Sequence, residues 1–179
     1  VNVGGFDLAA GLEYLQQVID STNIPFISAN IVDSRTNQKL FPPHHIIEND
    51  DISIGIIGLT NLIPSHTDKV KVEDFITVGK AQIDELRNKV DIVVVLANVN
   101  RDKNEEMNEE FIDADYIFVS RNTTRTRPGT EQPLQGPFTY GSNIQGKYLA
   151  QIDINLTKVD SPLVDVSSMH TQIDNIDKR

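Results

Sequence analysis

Arg121, Arg125 and Arg127 lie close to Thr123 and Thr124 in a polar stretch that follows the apolar run Tyr116-Ile117-Phe118-Val119 and closes at Pro128. Guanidinium groups offer planar forks of N–H donors and threonines add hydroxyls, a set suited to phosphate, sulfate or carboxylate. An apolar run that stops abruptly in such a loop reads as a strand delivering it to the end of a sheet. In α/β proteins that is where ligands bind. A plain solvated connection is the competing reading.

The other residues able to do chemistry are sparse. His44-His45 is a tempting pair, but neighbours in an extended segment point opposite ways and do not easily share one ion, so both read as surface histidines. His66 in a polar stretch and His170 near the end offer no partners at ligand spacing. Asp102-Lys103-Asn104-Glu105-Glu106 lacks the glycine and terminal glutamate of a calcium loop and reads as a solvated helix start, where carboxylates favour the dipole. Gly55 and Gly58 are not spaced to cradle a phosphate. Asn122-Thr123-Thr124 and Asn155-Leu156-Thr157 match a glycosylation tripeptide short enough to occur by chance.

With 179 residues, 39% of them hydrophobic, the chain is long enough for one globular core. A net charge of −10 argues against a general nucleic-acid binder, which needs a basic face. The absence of cysteine removes disulfides, thiolate zinc sites and cysteine nucleophiles. No apolar run approaches the ~20 residues that cross a bilayer.

Leu8, Leu12, Leu15 and Ile19 share one helical face, with Asp7 placed to cap the first turn. Ile24 to Ile31 reads as a strand with Pro25 at its start, and Arg35 to Asn49 as a short strand pair at a sheet edge. Ile52 to Thr60 reads as a strand buried on both faces, Val72 to Lys89 as a helix with Phe75, Gly79, Ile83 and Leu86 inward, and Asp91 to Leu96 as a β-branched parallel strand. Asn98 to Asn104 reads as loop, Asn104 to Phe111 as a short acidic helix, and Tyr116 to Val119 as a further strand. This order implies right-handed crossovers and a parallel sheet covered by helices. Alternation over Gly136 to Gly141 and Lys147 to Leu156 predicts half-exposed antiparallel strands.

Several of these stretches carry a resemblance. Phe6-Asp7 with the Leu12-Glu13-Tyr14-Leu15 helix, Phe26-Ile27-Ser28-Ala29-Asn30-Ile31, Ile54-Gly55-Ile56-Ile57-Gly58-Leu59-Thr60, and Tyr140-Gly141 through Gly146-Lys147-Tyr148-Leu149 occur in that order. Together they resemble the calcineurin-like metallophosphoesterases, in particular the catalytic domain of exported 5'-nucleotidases. The resemblance implies an α/β fold, a metallophosphoesterase-like αββα sandwich with mixed sheets whose N-terminal part is missing. Residues 1–157 would be a partial domain of this kind, and 158–179 a polar linker or C-terminal tail in contact with another domain or chain. It also implies a periplasmic or extracellular location.

Such a domain is expected to hold two divalent metals that activate water against a phosphoester. The family's ligands include the Asn of a Gly-Asn-His-Glu motif, a strand-end His and the His pair of Gly-His-x-His. Here that Asn falls on Val3, with the motif's His and Glu on Gly4 and Gly5, the strand-end His falls on Asn98, and the His pair falls on Arg121 and Thr123. Asn2 is one residue out of register, which in an extended segment turns it to the other side. Valine ligates nothing, and an arginine beside a dication is repelled by roughly 8 kcal/mol at 4 Å in an effective dielectric near 20. The expectation is therefore a domain with no catalytic residues, no metal ligands and no cofactor. Its role would be an anion-binding or structural one, with Arg121, Thr123, Thr124, Arg125 and Arg127 holding phosphate or a nucleotide-like anion. The alternatives are an active hydrolase with a divalent metal pair held by upstream ligands, and a structural subunit of an extracellular assembly.

Overall fold

The computed structural model describes residues 1–49, 51–65, 67–120, 125–134, 136–144, 147–155, 161–169 and 173. Among them the chain order is α1 (Leu12–Asp20), β1 (Ile31–Asp33), β2 (His44–Asn49), β3 (Ile52–Thr60), β4 (Val70–Val72), α2 (Phe75–Arg87), β5 (Ile92–Asn98), α3 (Asn104–Glu110), β6 (Tyr116–Ser120) and β7 (Phe138–Gly141). A 3-10 turn at Arg101–Lys103 precedes α3.

The main sheet has the order β2-β3-β5-β6-β7, with β2 antiparallel to β3 and the other pairs parallel. Strand periodicity divides its residues between two faces. One face, with Ile57, Leu59, Val93, Val95, Ile117 and Val119, packs on α2 and α3 through Ile83, Leu86 and Met107. The other carries Ile92, Val94, Tyr116 and Phe138, with half-buried Phe118 and Tyr140 beside them. A third apolar cluster, including Val3, Leu8, Leu15, Ile31 and Val70, joins α1 to the two-stranded β1–β4 ladder. The chain thus forms the mixed α/β sheet with helices against it that the resemblance implies. No helix among the described residues is long and apolar enough to cross a membrane.

β5 forms where four adjacent positions, Ile92 to Val95, are β-branched and buried. Asp74 caps α2 by accepting the Thr77 N–H at 2.8 Å. Those Thr77 hydrogen bonds hold the Asp74 carboxyl below its ordinary value.

Several expectations need correction. The first helix begins at Leu12, because Gly11 at φ 93° breaks the chain's direction, and Asp7 caps a turn instead by accepting the Gly4 N–H at 2.8 Å. Ile24 to Ile31 is not one strand: Ile27, Ser28 and Ala29 donate to Val1, Pro42 and Gly58 in three different segments, so no ladder forms. Only Ile31–Asp33 is strand there. Arg35 to Asn49 holds one edge strand, β2, with Lys39 in an isolated bridge to Val32. Val72 closes the short strand β4 rather than opening a helix.

Asn98 ends β5 rather than starting a loop. β7 pairs parallel to β6, and residues 147–155 form no strand. Ile152 and Ile154 alternate because they pack, half-buried, on the aromatic sheet face without backbone pairing. Beyond them, Leu163 packs on the same face.

Candidate functional site

Parallel register brings the carboxyl ends of β3, β5 and β6 level, so Thr60, Asn98 and Ser120 are neighbours. Asn98 donates through Nδ2 to Ser120 Oγ at 2.8 Å and accepts from Thr60 Oγ1 at 3.3 Å. A Cβ built on Gly4 would lie 2.8 Å from Asn98 Cγ. The chain's first turn therefore rests directly on the Asn98 amide.

Of the family-site positions, Gly4 and Asn98 are thus brought together. Val3 is fully buried in the cluster beside α1 and donates its N–H to Ile27 O. Gly5 abuts the Leu62 carbonyl, 2.9 Å from its would-be Cβ. Asn2 donates from Nδ2 to Leu59 O at 2.8 Å and Leu96 O at 2.9 Å, bracing β3 against β5. Arg121, Thr123 and Thr124 lie outside the described residues, as do Asn122, His66 and His170.

These residues do not fit a dinuclear metal centre. Val3, in the place of the ligand asparagine, is buried and has no donor side chain, and Asn98 is a neutral amide bonded to Ser120 and Thr60. No imidazole at position 4 could be accommodated without displacing Asn98. Among the described residues no three His, Asp or Glu side chains gather at metal-binding distance. His44 is half-buried and shares a 2.9 Å hydrogen bond with Gln82, which corrects its reading as a surface residue, whereas His45 is exposed. Asp102 and Lys103 lie in the 3-10 turn and Asn104 to Glu106 open α3, with Lys103 paired to Glu106 at 2.8 Å.

The described arginines of the polar loop lie beside β7. Arg125 forms an isolated bridge with Ser142, and its guanidinium carbon sits 4.1 Å from the Tyr148 ring centroid. Thr126 and Gly141 exchange two hydrogen bonds that fasten the loop to the end of β7. Arg127 is exposed, and neither arginine is ion-paired among the described residues. They line a cleft of about 660 Å³ with Tyr140, Tyr148 and Asp165. A second cavity of about 380 Å³ shares the Tyr140, Ser142 and Tyr148 wall and reaches Asn2 and Ser120 at the strand ends. The first of the two is the groove beside β7.

Tyr140 donates its hydroxyl to Asp165 Oδ2 at 2.8 Å. Burial, reinforced by that carboxylate, pushes the Tyr140 phenol well above its ordinary value. For Asp165, burial works upward, but hydrogen bonds from Ser167 and Tyr140 prevail and hold the carboxyl below its usual range. Sequence reasoning missed Thr60, Ser120, Tyr140, Tyr148 and Asp165. Ser120 and Thr60 carried a signal, as the polar residues ending apolar runs, but nothing local marks Asp165.

The sequence is 31% identical over 116 residues to a 2',3'-cyclic-nucleotide 2'-phosphodiesterase/3'-nucleotidase of Salmonella typhimurium, covering 54% of this chain and 18% of that protein. It is 30% identical over 112 residues to a 5'-nucleotidase of Vibrio cholerae, covering 58% and 20%. The fold matches a 5'-nucleotidase precursor from Thermus thermophilus with a TM-score of 0.61 at 22% identity, over 70% of this chain and 26% of the other. The chain is thus similar in sequence to curated nucleotidases and shares the fold of a solved 5'-nucleotidase. No family model matches it. The matched region is about a fifth of the length of these curated relatives. The strand-end site of this 5'-nucleotidase-like domain has Gly4 seated on Asn98.

Proposed function

We propose that this 5'-nucleotidase-like phosphoesterase domain performs no metal-dependent hydrolysis and serves instead as an anion-binding module of an exported protein, without a metal cofactor. The observation that carries the reading is the contact of Gly4 with Asn98. Val3, where the motif's ligand asparagine would fall, has no donor, Gly4 leaves no room for an imidazole beside Asn98, and Asn98 itself is a neutral amide bonded to Ser120 and Thr60. Two-metal catalysis needs anionic or imidazole ligands to fix the ions and their bound water, and fold alone does not supply them.

The cationic side of the reading rests on Arg125 and Arg127, which face the groove without carboxylate partners among the described residues. Anions of the phosphate or nucleotide kind suit guanidinium forks. Exported location is part of the same proposal, carried by the likeness to exported nucleotidases. Nucleic acid is not proposed as a partner, since the net charge of −10 opposes it. The test is turnover of nucleoside phosphates and cyclic nucleotides by the full-length protein with Mn, Zn, Mg and Ca. The expected result is none above background. Turnover that rises with metal and disappears with chelator overturns the non-catalytic reading.

A further inference from the structure

We infer that the groove beside β7 takes a small organic monoanion bearing its own hydroxyl donors, a sugar acid in chemical class, with Arg125 and Arg127 holding the charge and Asp165 selecting for the hydroxyls. This rests on the anion-binding half of the reading above and replaces its phosphate-like anion with a carboxylate. The first ground is size. A cleft of about 660 Å³ lies within the roughly 300–1,000 Å³ of small-molecule sites and far exceeds the ~30 Å³ share of a single water. A bare inorganic anion leaves most of it empty.

The second ground is the mixture of charges. The Arg125 guanidinium carbon sits over the Tyr148 ring, 4.1 Å from its centroid, and the group has no ion-pair partner among the described residues, so its fork of N–H donors can meet a carboxylate. Asp165 lines the same cleft as an anion. Its Oδ2 accepts the Tyr140 hydroxyl at 2.8 Å, its Oδ1 accepts the Ser167 N–H at 2.7 Å, and the Ser167 side chain bonds the same carboxylate. A carboxylate accepts about four hydrogen bonds, so room for one further donor remains. That negative charge penalises a second negative charge on the ligand and rewards a hydroxyl. Asp165 also makes a hydrocarbon tail a poor occupant, since its unused lone pairs would be desolvated without a donor.

Calorimetry on the full-length protein with gluconate, hexanoate, glucose and inorganic phosphate tests this. Gluconate should bind about tenfold or more tighter than hexanoate, the scale of one hydrogen bond to a charged group, and glucose should fail for lack of charge. Arg127→Gln, at an exposed position, should weaken gluconate and hexanoate alike. Asp165→Asn, checked for an unchanged melting transition, should erase most of the gluconate preference.

Phosphate binding with no preference for gluconate over hexanoate overturns the inference and leaves the anion-binding reading standing. Absence of heat with every anion overturns both. Metal-dependent turnover would remove the non-catalytic reading without touching this one. If Asp165→Asn does not fold, full gluconate affinity in Arg127→Gln is sufficient to overturn the inference.

Discussion

Gly4 and Asn98 occupy one another's side-chain space: a Cβ on Gly4 would stand 2.8 Å from Asn98 Cγ and 2.9 Å from its Oδ1. Asn98 cannot simply swing away, because Ser120 and Thr60 hold its amide. Gly4→Ala is therefore expected to destabilise the domain by about 1–3 kcal/mol, as overpacking does. Asn98→Ala should recover much of that loss in the double variant, a coupling that urea denaturation of the four-member cycle would measure. Additive effects would show that the two residues do not share this space.

Asn30 is fully buried and joins three backbone groups of two segments. It donates to Thr60 O at 2.6 Å and Glu73 O at 2.9 Å, and accepts from Thr60 N at 3.0 Å. Asn30→Leu leaves those groups without partners in a dry site, and the expected loss is about 3 kcal/mol or more. Chemical denaturation would record it as a lower midpoint with an unchanged slope.

Asp115 takes two donors on one oxygen, the Val93 N–H and Arg87 Nη1, both at 2.7 Å. The pair is only partly exposed, so it counts for more than a surface ion pair. Asp115→Ala should cost roughly 1–3 kcal/mol, the penalty of a buried donor left unpaired. Hydrogen exchange would locate the effect, with the Val93 amide losing protection ahead of the rest of β5.

The Tyr140–Asp165 bond gives stability a dependence on pH at both ends. Tyr140 has its folded value raised by burial and by Asp165, so its contribution is complete below about pH 10 and is lost as pH rises through the folded value. Asp165 has its folded value lowered, so its contribution is present above about pH 4 and is lost as pH falls through the folded value. Thermal melts across this range should show Tyr140→Phe losing less stability than the parent protein on the alkaline side, and Asp165→Asn losing less on the acid side. Parallel profiles would mean that the bond does not form in solution.

How much of this was legible in the sequence varied with the physical signal. Ile92 to Val95 identifies a strand by itself, because four β-branched residues pack well only on a pleated surface. The inward face of α2 was equally clear, since Phe75, Ile83 and Leu86 recur at helical spacing. Alternation around Phe138 and Tyr140 reported which side is buried but not which way the neighbouring strand runs, and so the parallel pairing of β7 was missed. The broken pairing of Ile27 to Ala29 depends on three distant segments and has no local trace. At the site, the substitutions at positions 4 and 98 were visible as residue types. Their mutual contact, and the arrival of Asp165 beside Tyr140, exist only after folding.

Asn2 reaches Leu59 and Leu96, partners 57 and 94 positions away, and binds a carbonyl of each. Two adjacent strands at the middle of the sheet are thus clasped by an amide that joins them only once very large loops have closed. Loop closure of that span costs entropy before any contact repays it, and folding rates fall as such distant contacts accumulate. The clasp needs β3 and β5 already side by side, since one amide must reach a carbonyl of each. The strand-end site is therefore complete only with the segment around Asn2 docked.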